Sequence, residues 1–126
     1  MSGLHEKSGA ELLALYRRGE ASPVDTAQAL IAHIGRWEPQ LHALWAYEPE
    51  RLLDQARASE ARWRAGAPRA LDGVPCTVKE NIATEGLPVP LGTAATEPVP
   101  ARADAPPAAR LREAGCLLVA KTTMPD

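Results

Sequence analysis

The residue best placed to do chemistry is Lys79, which ends a short apolar run at residues 73–79. In a strand, successive side chains point to opposite faces, so Cys76 and Val78 share one face while Thr77 and Lys79 share the other. In a cleft without water the charged form of a lysine is disfavoured, so its pKa falls. Its neutral amine can then accept a proton near neutral pH. The alternative is a strand-end lysine that reaches solvent, as most charged residues do. Lys79 is therefore a candidate proton acceptor if the fold removes it from water, and an ordinary surface lysine if it does not.

The cysteines and histidines do not form a second site by their spacing. Cys76 and Cys116 lie far apart without a Cys-x-x-Cys pair, which argues against zinc and gives no disulfide framework. We interpret them as small residues buried in two strands. His5, His33 and His42 lack the spacing of metal ligands, so each is expected on a helix surface or in a loop. No metal and no cofactor are predicted.

A nucleotide-binding loop is the alternative for residues 115–122, which read Gly-Cys-Leu-Leu-Val-Ala-Lys-Thr. A phosphate loop exposes its amides between a strand and a helix. Here residues 116–119 are themselves the apolar strand, so nucleotide binding is rejected. Lys121 is instead expected to have a structural role at a strand end.

Helix signals dominate the first 40 residues, which must support the lysine strand. Ser8 with Glu11 forms a capping box, so a helix is predicted over about 9–18 with its end near Gly19. Ser22 and the proline after it start a second helix, which the Glu-Pro pair at 38–39 is expected to end. The second helix has an apolar packing stripe: Val24, Ala27, Leu30, Ile31, Ile34 and Trp37.

Strands and helices alternate in the rest of the sequence. A short strand is predicted within 41–47, a helix from Pro49 to about Ala65, and the lysine strand at 74–79. Residues 86–102 contain four prolines and are predicted to form an irregular crossing.

The last predicted helix is capped by Asp104, carries prolines in its first turn and ends at Gly115. Residues 116–120 follow as a fully buried strand. Two strands joined through a helix indicate an α/β layer.

Composition sets the class of the protein. The chain has 126 residues, 45% of them hydrophobic and 24% charged, as in one globular domain. The net charge of −2 is spread along the chain, which predicts no binding to nucleic acid or to an anionic membrane. No apolar run approaches the length of a signal-peptide core or a membrane span, so a cytoplasmic location is expected.

Several ordered blocks resemble the amidase signature family. Residues 71–82 read Leu-Asp-Gly-Val-Pro-Cys-Thr-Val-Lys-Glu-Asn-Ile, with Gly-Leu-Pro at 86–88, and are similar to the family block that carries its catalytic lysine. Residues 116–126 look like the family's apolar strand and the Gly-Lys-Thr-Asn-Met-Pro-Glu segment after it. The sequence departs from the family pattern mildly, at Glu80, Thr93, Ala120 and Asp126.

The resemblance implies an amide hydrolase or transferase with a serine nucleophile, a second serine in a cis peptide, and Lys79 as base. In the family both serines follow the lysine. No serine follows Lys79 here; the four serines are Ser2, Ser8, Ser22 and Ser59. The chain is thus expected to supply only the lysine of a Ser-cisSer-Lys triad and to be inactive alone, because an unaided lysine cannot cleave an amide.

The resemblance also implies the fold. We expect an incomplete α/β structure, with amino-terminal helices followed by part of the mixed-sheet α/β/α amidase signature fold. Residues 1–126 are interpreted as the amino-terminal part of one amidase domain, helical over 8–66 and α/β over 67–126.

Three alternatives concern function and partners. The complete protein is expected to act on a small-molecule amide, or to be the A subunit of a glutamine-dependent tRNA amidotransferase. A non-catalytic remnant or interaction module fits the missing serines equally well. Open strand edges invite association between copies, a homodimer included.

Overall fold

The computed structural model describes residues 3–79, 82, 84 and 103–123. After a 3-10 helix at Leu4–Glu6, the elements follow in this order: α1 (Gly9–Arg18), α2 (Pro23–Leu41), β1 (Leu44–Trp45), α3 (Pro49–Arg64), β2 (Pro75–Lys79), α4 (Pro106–Glu113) and β3 (Leu117–Thr122). The irregular crossing predicted for residues 86–102 lies outside the described residues.

Capping starts α1 and α2 where the sequence predicts. The Ser8 hydroxyl accepts from the Glu11 N–H at 3.1 Å, while the Glu11 carboxylate accepts from the Ser8 N–H at 2.9 Å. Ser22 and Asp25 form the same reciprocal pair. Each pair satisfies amides that have no partner within the helix, so both predicted starts are confirmed.

The predicted end of α2 is wrong. Pro39 lies inside the helix, which continues to Leu41 and ends at His42 with a left-handed φ of 49°. The Glu38 carboxylate accepts from the backbone N–H groups of residues 43–44, both at 2.8 Å. These bonds hold the chain beyond the proline, and they offset the one helical bond that proline removes.

The extension of α2 shortens the strand predicted within 41–47. Leu41 is still helical, and β1 covers only Leu44–Trp45. Ala46 has a φ of 54°, which a strand does not accommodate.

The cap predicted for α4 is also wrong. Ala105 is the N-cap, without a side-chain bond, and α4 begins at Pro106. The Asp104 carboxylate instead accepts two bonds from Arg112, at 2.8 and 3.2 Å. A guanidinium binds a carboxylate more strongly than a neutral amide does. The first two residues of α4 are prolines, which have no backbone N–H for a cap to bind.

The three strands form a mixed sheet in the order β1-β3-β2. The pair β1 and β3 is antiparallel, and the pair β2 and β3 is parallel, with α4 in the connection between them. The α/β layer predicted from the sequence is confirmed.

Within the described residues, two apolar clusters form the core, and one of them includes β3. The larger joins α2 and α3 to β3 through Ala27, Leu52, Ala56, Leu117, Val119 and Ala120, with most of the predicted α2 stripe packed against it. The second lies around α1 and contains Leu4, Leu12, Leu15 and Tyr16. Trp37 departs from the predicted stripe, since it is 40% exposed.

Candidate functional site

Lys79 is the last residue of β2, and its side chain is exposed. Thr77 is exposed as well, whereas Val78 between them is only 6% exposed. The predicted alternation of faces is therefore confirmed. Within the described residues, Lys79 has the solvent-reaching geometry of the simpler alternative, and its role as a base stays a prediction.

Pairing with β3 defines the surroundings of Lys79. Lys79 lies opposite Thr122, and Val78 lies opposite Lys121. Directly paired residues project to the same face of a sheet, so Lys79 shares a face with Thr122 while Lys121 shares the other with Val78.

Lys121 has no exposed surface and is one of the largest fully buried side chains. The sequence predicted a structural role for it at a strand end. The structure places it within β3, where it continues the buried run that begins at residue 116. Its burial was missed because a lysine reads as a surface residue.

A β-bulge interrupts the pairing of β2 with β3. Cys76 pairs with Leu118 and Thr77 pairs with Ala120, which leaves Val119 as an extra residue on β3. The Gln55 side chain of α3 donates to the Leu118 carbonyl at 3.0 Å and accepts from the Leu118 N–H at 2.8 Å. A side-chain amide thus takes the place of a neighbouring strand beside the bulge.

The amino end of β2 is anchored by Asp72, whose side chain is fully buried. Its carboxylate accepts from the Ser59 hydroxyl at 2.6 Å, from Arg62 at 2.6 and 2.7 Å, and from the Arg69 N–H at 2.9 Å. Trp63 donates to the Asp72 carbonyl at 3.0 Å. All these partners precede Asp72 in the chain, so α3 and the segment after it hold the turn that leads into the lysine strand.

Electrostatics accounts for a charged carboxylate at this depth. Burial by itself raises the pKa of Asp72, but the bonds from Arg62, the Arg69 N–H and Ser59 outweigh it, so the pKa lies below its usual value. The same hydrogen bond raises the pKa of Arg62. Sequence reasoning missed this network, because neither its periodicity nor its spacing gives a signal.

Tyr16 ties the next residue of the same turn. The Tyr16 hydroxyl has one hydrogen, which it donates to the Gly73 carbonyl at 2.8 Å. It therefore accepts its other hydrogen bond, of 2.7 Å, from the Thr26 hydroxyl. Burial raises the pKa of Tyr16 to about 12. Gly73 has a φ of 85°, and a Cβ there would lie 2.7 Å from Pro23 and 2.8 Å from Tyr16, so glycine is required.

The starts of β2 and β3 meet at this turn. Gly73 N–H donates to the Gly115 carbonyl at 3.0 Å, and Leu71 N–H donates to the Ala114 carbonyl at 2.8 Å. Gly115 has a φ of 90°, and a Cβ there would lie 2.8 Å from the Asp72 side chain. Both strands are therefore positioned from one buried point.

Neither cysteine has the properties of a nucleophile. Cys116 is buried, as predicted, and Cys76 is half-buried; both are free thiols. Burial, with a smaller contribution from Cys116, raises the pKa of Cys76 to about 12, and burial also raises the pKa of Cys116. The thiolate forms are disfavoured, and the thiolate is the reactive form.

Two of the clefts formed by the described residues have room for a small molecule, and both lie away from Lys79. One of about 580 Å³ lies between the α1–α2 turn and α3, and is lined by charged residues of both signs. An apolar groove of about 480 Å³ follows the end of α2, with Trp37 and Leu41 exposed in it. Lys79 lines neither of them, so neither adds a group to the candidate base.

The histidines lie outside the lysine strand. His5 stacks on His33 of α2 with ring centroids 4.1 Å apart, and His42 is the C-cap of α2. Across the described residues, no three His, Cys, Asp or Glu side chains form a group that could hold a metal ion. The same residues include no helix with the length and apolar character of a membrane span.

Comparison with known proteins places this arrangement in a family. The amidase family model matches residues 25–126. The A subunit of the glutamyl-tRNA(Gln) amidotransferase from Salinispora arenicola is 36% identical over 127 residues, which is 100% of this chain and 26% of the relative. The chain spans about a quarter of the length of the curated relatives it matches.

Solved structures agree. A bacterial aryl acylamidase of the amidase signature enzymes superposes with a TM-score of 0.87 and 27% identity, over 94% of this chain and 25% of its own. The peptide amidase of Stenotrophomonas maltophilia superposes with a TM-score of 0.82 and 29% identity, over 93% of this chain and 24% of its own.

Proposed function

Since this chain belongs to the amidase family, whose model matches residues 25–126, we propose that it is the lysine-bearing, amino-terminal part of an enzyme that hydrolyses a carboxylic amide. Lys79 is proposed as the general base. The observation that carries the proposal is the position of Lys79, at the exposed end of a strand whose other end is anchored by Asp72.

The chemistry requires Lys79 in its neutral form. A neutral lysine accepts a proton from a bridging serine, which in turn takes the proton of the nucleophilic serine, and the activated hydroxyl attacks the amide carbon. No residue of this chain matches the family's two serine positions, because no serine follows Lys79. We therefore propose that the 126-residue chain is inactive by itself.

The test uses the longest open reading frame that contains this sequence. Hydrolysis of aliphatic and aromatic amides is measured for the parent protein, Lys79→Ala and Lys79→Arg. Loss of a general base lowers kcat/KM by about 100-fold to 10,000-fold. The guanidinium of the Lys79→Arg variant keeps the charge but cannot act as a neutral base, so this variant should be as inactive as Lys79→Ala.

Lys7→Ala serves as the matched control, since Lys7 is an exposed lysine outside the sheet. Its kcat/KM should equal that of the parent. Full activity in the Lys79→Ala enzyme would exclude Lys79 as the base. A reading frame that stops at residue 126, with no amide hydrolysis, would favour the non-catalytic remnant.

A second candidate function is that of the A subunit of a glutamine-dependent tRNA amidotransferase. The relatives named as A subunits of glutamyl-tRNA(Gln) amidotransferase favour it. In that case the longer protein releases ammonia from glutamine and passes it to a partner acting on charged tRNA. Assays of glutamine hydrolysis, with and without that partner and its charged tRNA, separate this function from a simple amidase.

Location and assembly are proposed from the sequence. We propose a cytoplasmic protein, which fractionation of the native host would test. Association into a homodimer is tested by light scattering of the purified chain after size exclusion. A single monomeric mass across a hundredfold range of concentration would exclude the homodimer.

A further inference from the structure

The register of β2 against β3 decides which side chain lies beside Lys79. The first pairs of the two strands run in step as far as Cys76 and Leu118. If this register continued without a bulge, the residue three positions after Cys76 would pair with the residue three positions after Leu118. Lys79 would then lie directly opposite Lys121. Two ammonium groups would then occupy neighbouring positions on one face, which destabilises a sheet.

The bulge prevents this pairing. Val119 is the extra residue, so the register advances by one position, Lys79 lies opposite Thr122, and Lys121 lies opposite Val78 on the other face. An uncharged hydroxyl therefore neighbours Lys79. The second lysine is fully buried on the far side of the sheet.

Gln55 holds the bulge from α3. Its amide bonds both backbone groups of Leu118, the residue just before Val119. β1 pairs with β3 only at residues 121–122, so no strand of the described sheet reaches Leu118 on that side. A side-chain amide offers both a donor and an acceptor to the backbone, which neither leucine nor a charged glutamate does.

We propose that Thr122 sets the electrostatic surroundings of Lys79, and hence the pH range in which the base works, with Gln55 as the positioning residue that maintains the required register. The inference rests on the proposed function of Lys79. It adds that one neighbouring position on β3 tunes that base. A charge introduced at position 122 should act on Lys79 more strongly than a charge at any position turned away from it.

The test is a charge series at position 122 in the longer enzyme: Thr122→Lys, Thr122→Glu and the neutral control Thr122→Gln. A neighbouring cation disfavours the protonated lysine and an anion favours it. Relative to the glutamine variant, the acidic limb of the kcat/KM profile should move down by about 0.5 pH unit in the lysine variant and up by as much in the glutamate variant.

The matched control is the same series at Thr123, which is exposed, follows β3, and hydrogen-bonds to the Ala43 carbonyl. Its shifts should be less than half as large. Equal shifts at both positions, or no difference between Thr122→Lys and Thr122→Glu, would overturn the placement of Thr122 beside the base.

Gln55→Leu tests the positioning role, with Gln28→Leu as the control because Gln28 is an exposed glutamine of α2. Without the amide, the bulge is free to slip toward the unbroken register, which brings Lys121 beside Lys79. The acidic limb should then move in the direction seen for Thr122→Lys. A loss of stability without any movement of the limb would leave Gln55 a structural residue and refute its positioning role.

A readout without turnover separates this inference from the proposed function. The rate at which an acetyl N-hydroxysuccinimide ester acetylates Lys79 is followed against pH by peptide mass spectrometry in each variant. If this profile follows the charge at position 122 while Lys79→Ala remains active, the placement is right and the function is wrong. If the profile does not move while Lys79→Ala is inactive, the function is right and the placement is wrong.

Discussion

The two ends of β2 differ sharply in their surroundings. At the amino end, Asp72 and Gly73 are buried and tied to α1, α3 and the start of β3 by hydrogen bonds. At the carboxyl end, Lys79 is exposed and its paired neighbour is a threonine. β2 itself, Pro75–Lys79, has four residue steps of about 3.3 Å, so its two ends lie about 13 Å apart.

This difference predicts that the amino end of the strand carries stability, while the proposed catalytic group lies at the carboxyl end. Substitutions near Asp72 should unfold the chain without touching the reactive group, whereas substitutions at Lys79 should leave the fold intact. Measured free energies of unfolding of matched variants test this division of the strand.

The largest effect is expected for Asp72→Ala. Removing this carboxylate leaves Arg62, Ser59 and the Arg69 N–H without their buried partner, so the free energy of unfolding should fall by about 4 kcal/mol in urea denaturation. Asp54→Ala is the control, because the Asp54–Arg57 pair lies on the surface of α3, the helix that supplies Ser59 and Arg62 to Asp72. That control should cost about 0.5 kcal/mol.

The Asp72 contribution also depends on pH. Its pKa is lowered in the fold, so the contribution is fully present above the ordinary aspartate value of 3.8 and is lost as the pH falls through the lower folded value. Acid unfolding of the Asp72→Ala chain should show a weaker dependence on pH below 4. An unchanged pH dependence would contradict the charged state of Asp72.

The next effect is expected for Gly73→Ala. The added Cβ meets Pro23 and Tyr16 at less than 3 Å and sits on a backbone with positive φ, which together should cost about 3 kcal/mol. Gly66→Ala has the same sign of φ but open space around its Cβ, and should cost only about 1 kcal/mol. Equal costs would mean that the turn before β2 is loosely packed.

A smaller effect is expected for Tyr16→Phe. The Gly73 carbonyl loses its donor and the buried Thr26 hydroxyl loses its acceptor, for about 1.5 kcal/mol in urea denaturation. Tyr47→Phe is the control. Tyr47 is half-buried, and burial raises its pKa without a contribution from a hydrogen bond, so removal of its hydroxyl should cost less.

Alkaline pH separates the parent from the Tyr16→Phe variant further. The pKa of Tyr16 is raised from 10.0 to about 12, so its contribution is fully present below pH 10 and is lost as the pH rises toward 12. Stability of the parent should therefore fall more steeply between pH 10 and 12 than stability of Tyr16→Phe. Parallel curves would contradict the burial of this hydroxyl.

The smallest effect is expected at the carboxyl end. Lys79→Gln and Thr77→Ser should each change the free energy of unfolding by less than about 0.5 kcal/mol, because both side chains are exposed. A loss above about 2 kcal/mol for Lys79→Gln would show that Lys79 carries structure, and the division between the two ends would fail.

Local signals predicted much of the fold. Ser8 and Ser22 identified two helix starts, and the alternation at residues 76–79 identified the lysine strand with its faces. Where a local signal competed with a tertiary or charged partner, the prediction was wrong. Pro39 did not end α2, because the Glu38 side chain binds the backbone just after the helix. Asp104 did not cap α4, because its carboxylate binds Arg112.

The candidate site was predictable only in part. Lys79 could be proposed from the pattern and from the family resemblance, and its catalytic role stays a prediction. Tyr16 and Gly73, which are 57 positions apart, carry no mutual signal in one sequence. Gln55 and Leu118 are 63 positions apart, and nothing in one sequence indicates that they are in contact.

By itself, the sequence determined the starts of α1 and α2 and the two-residue period of β2, because each depends on partners within one turn or one pleat. Tertiary structure alone decided the burial of Lys121, the ion pair of Asp72 and the bulge that sets Thr122 beside Lys79. These depend on which distant segments meet, and one residue of register moves a side chain to the other face of the sheet.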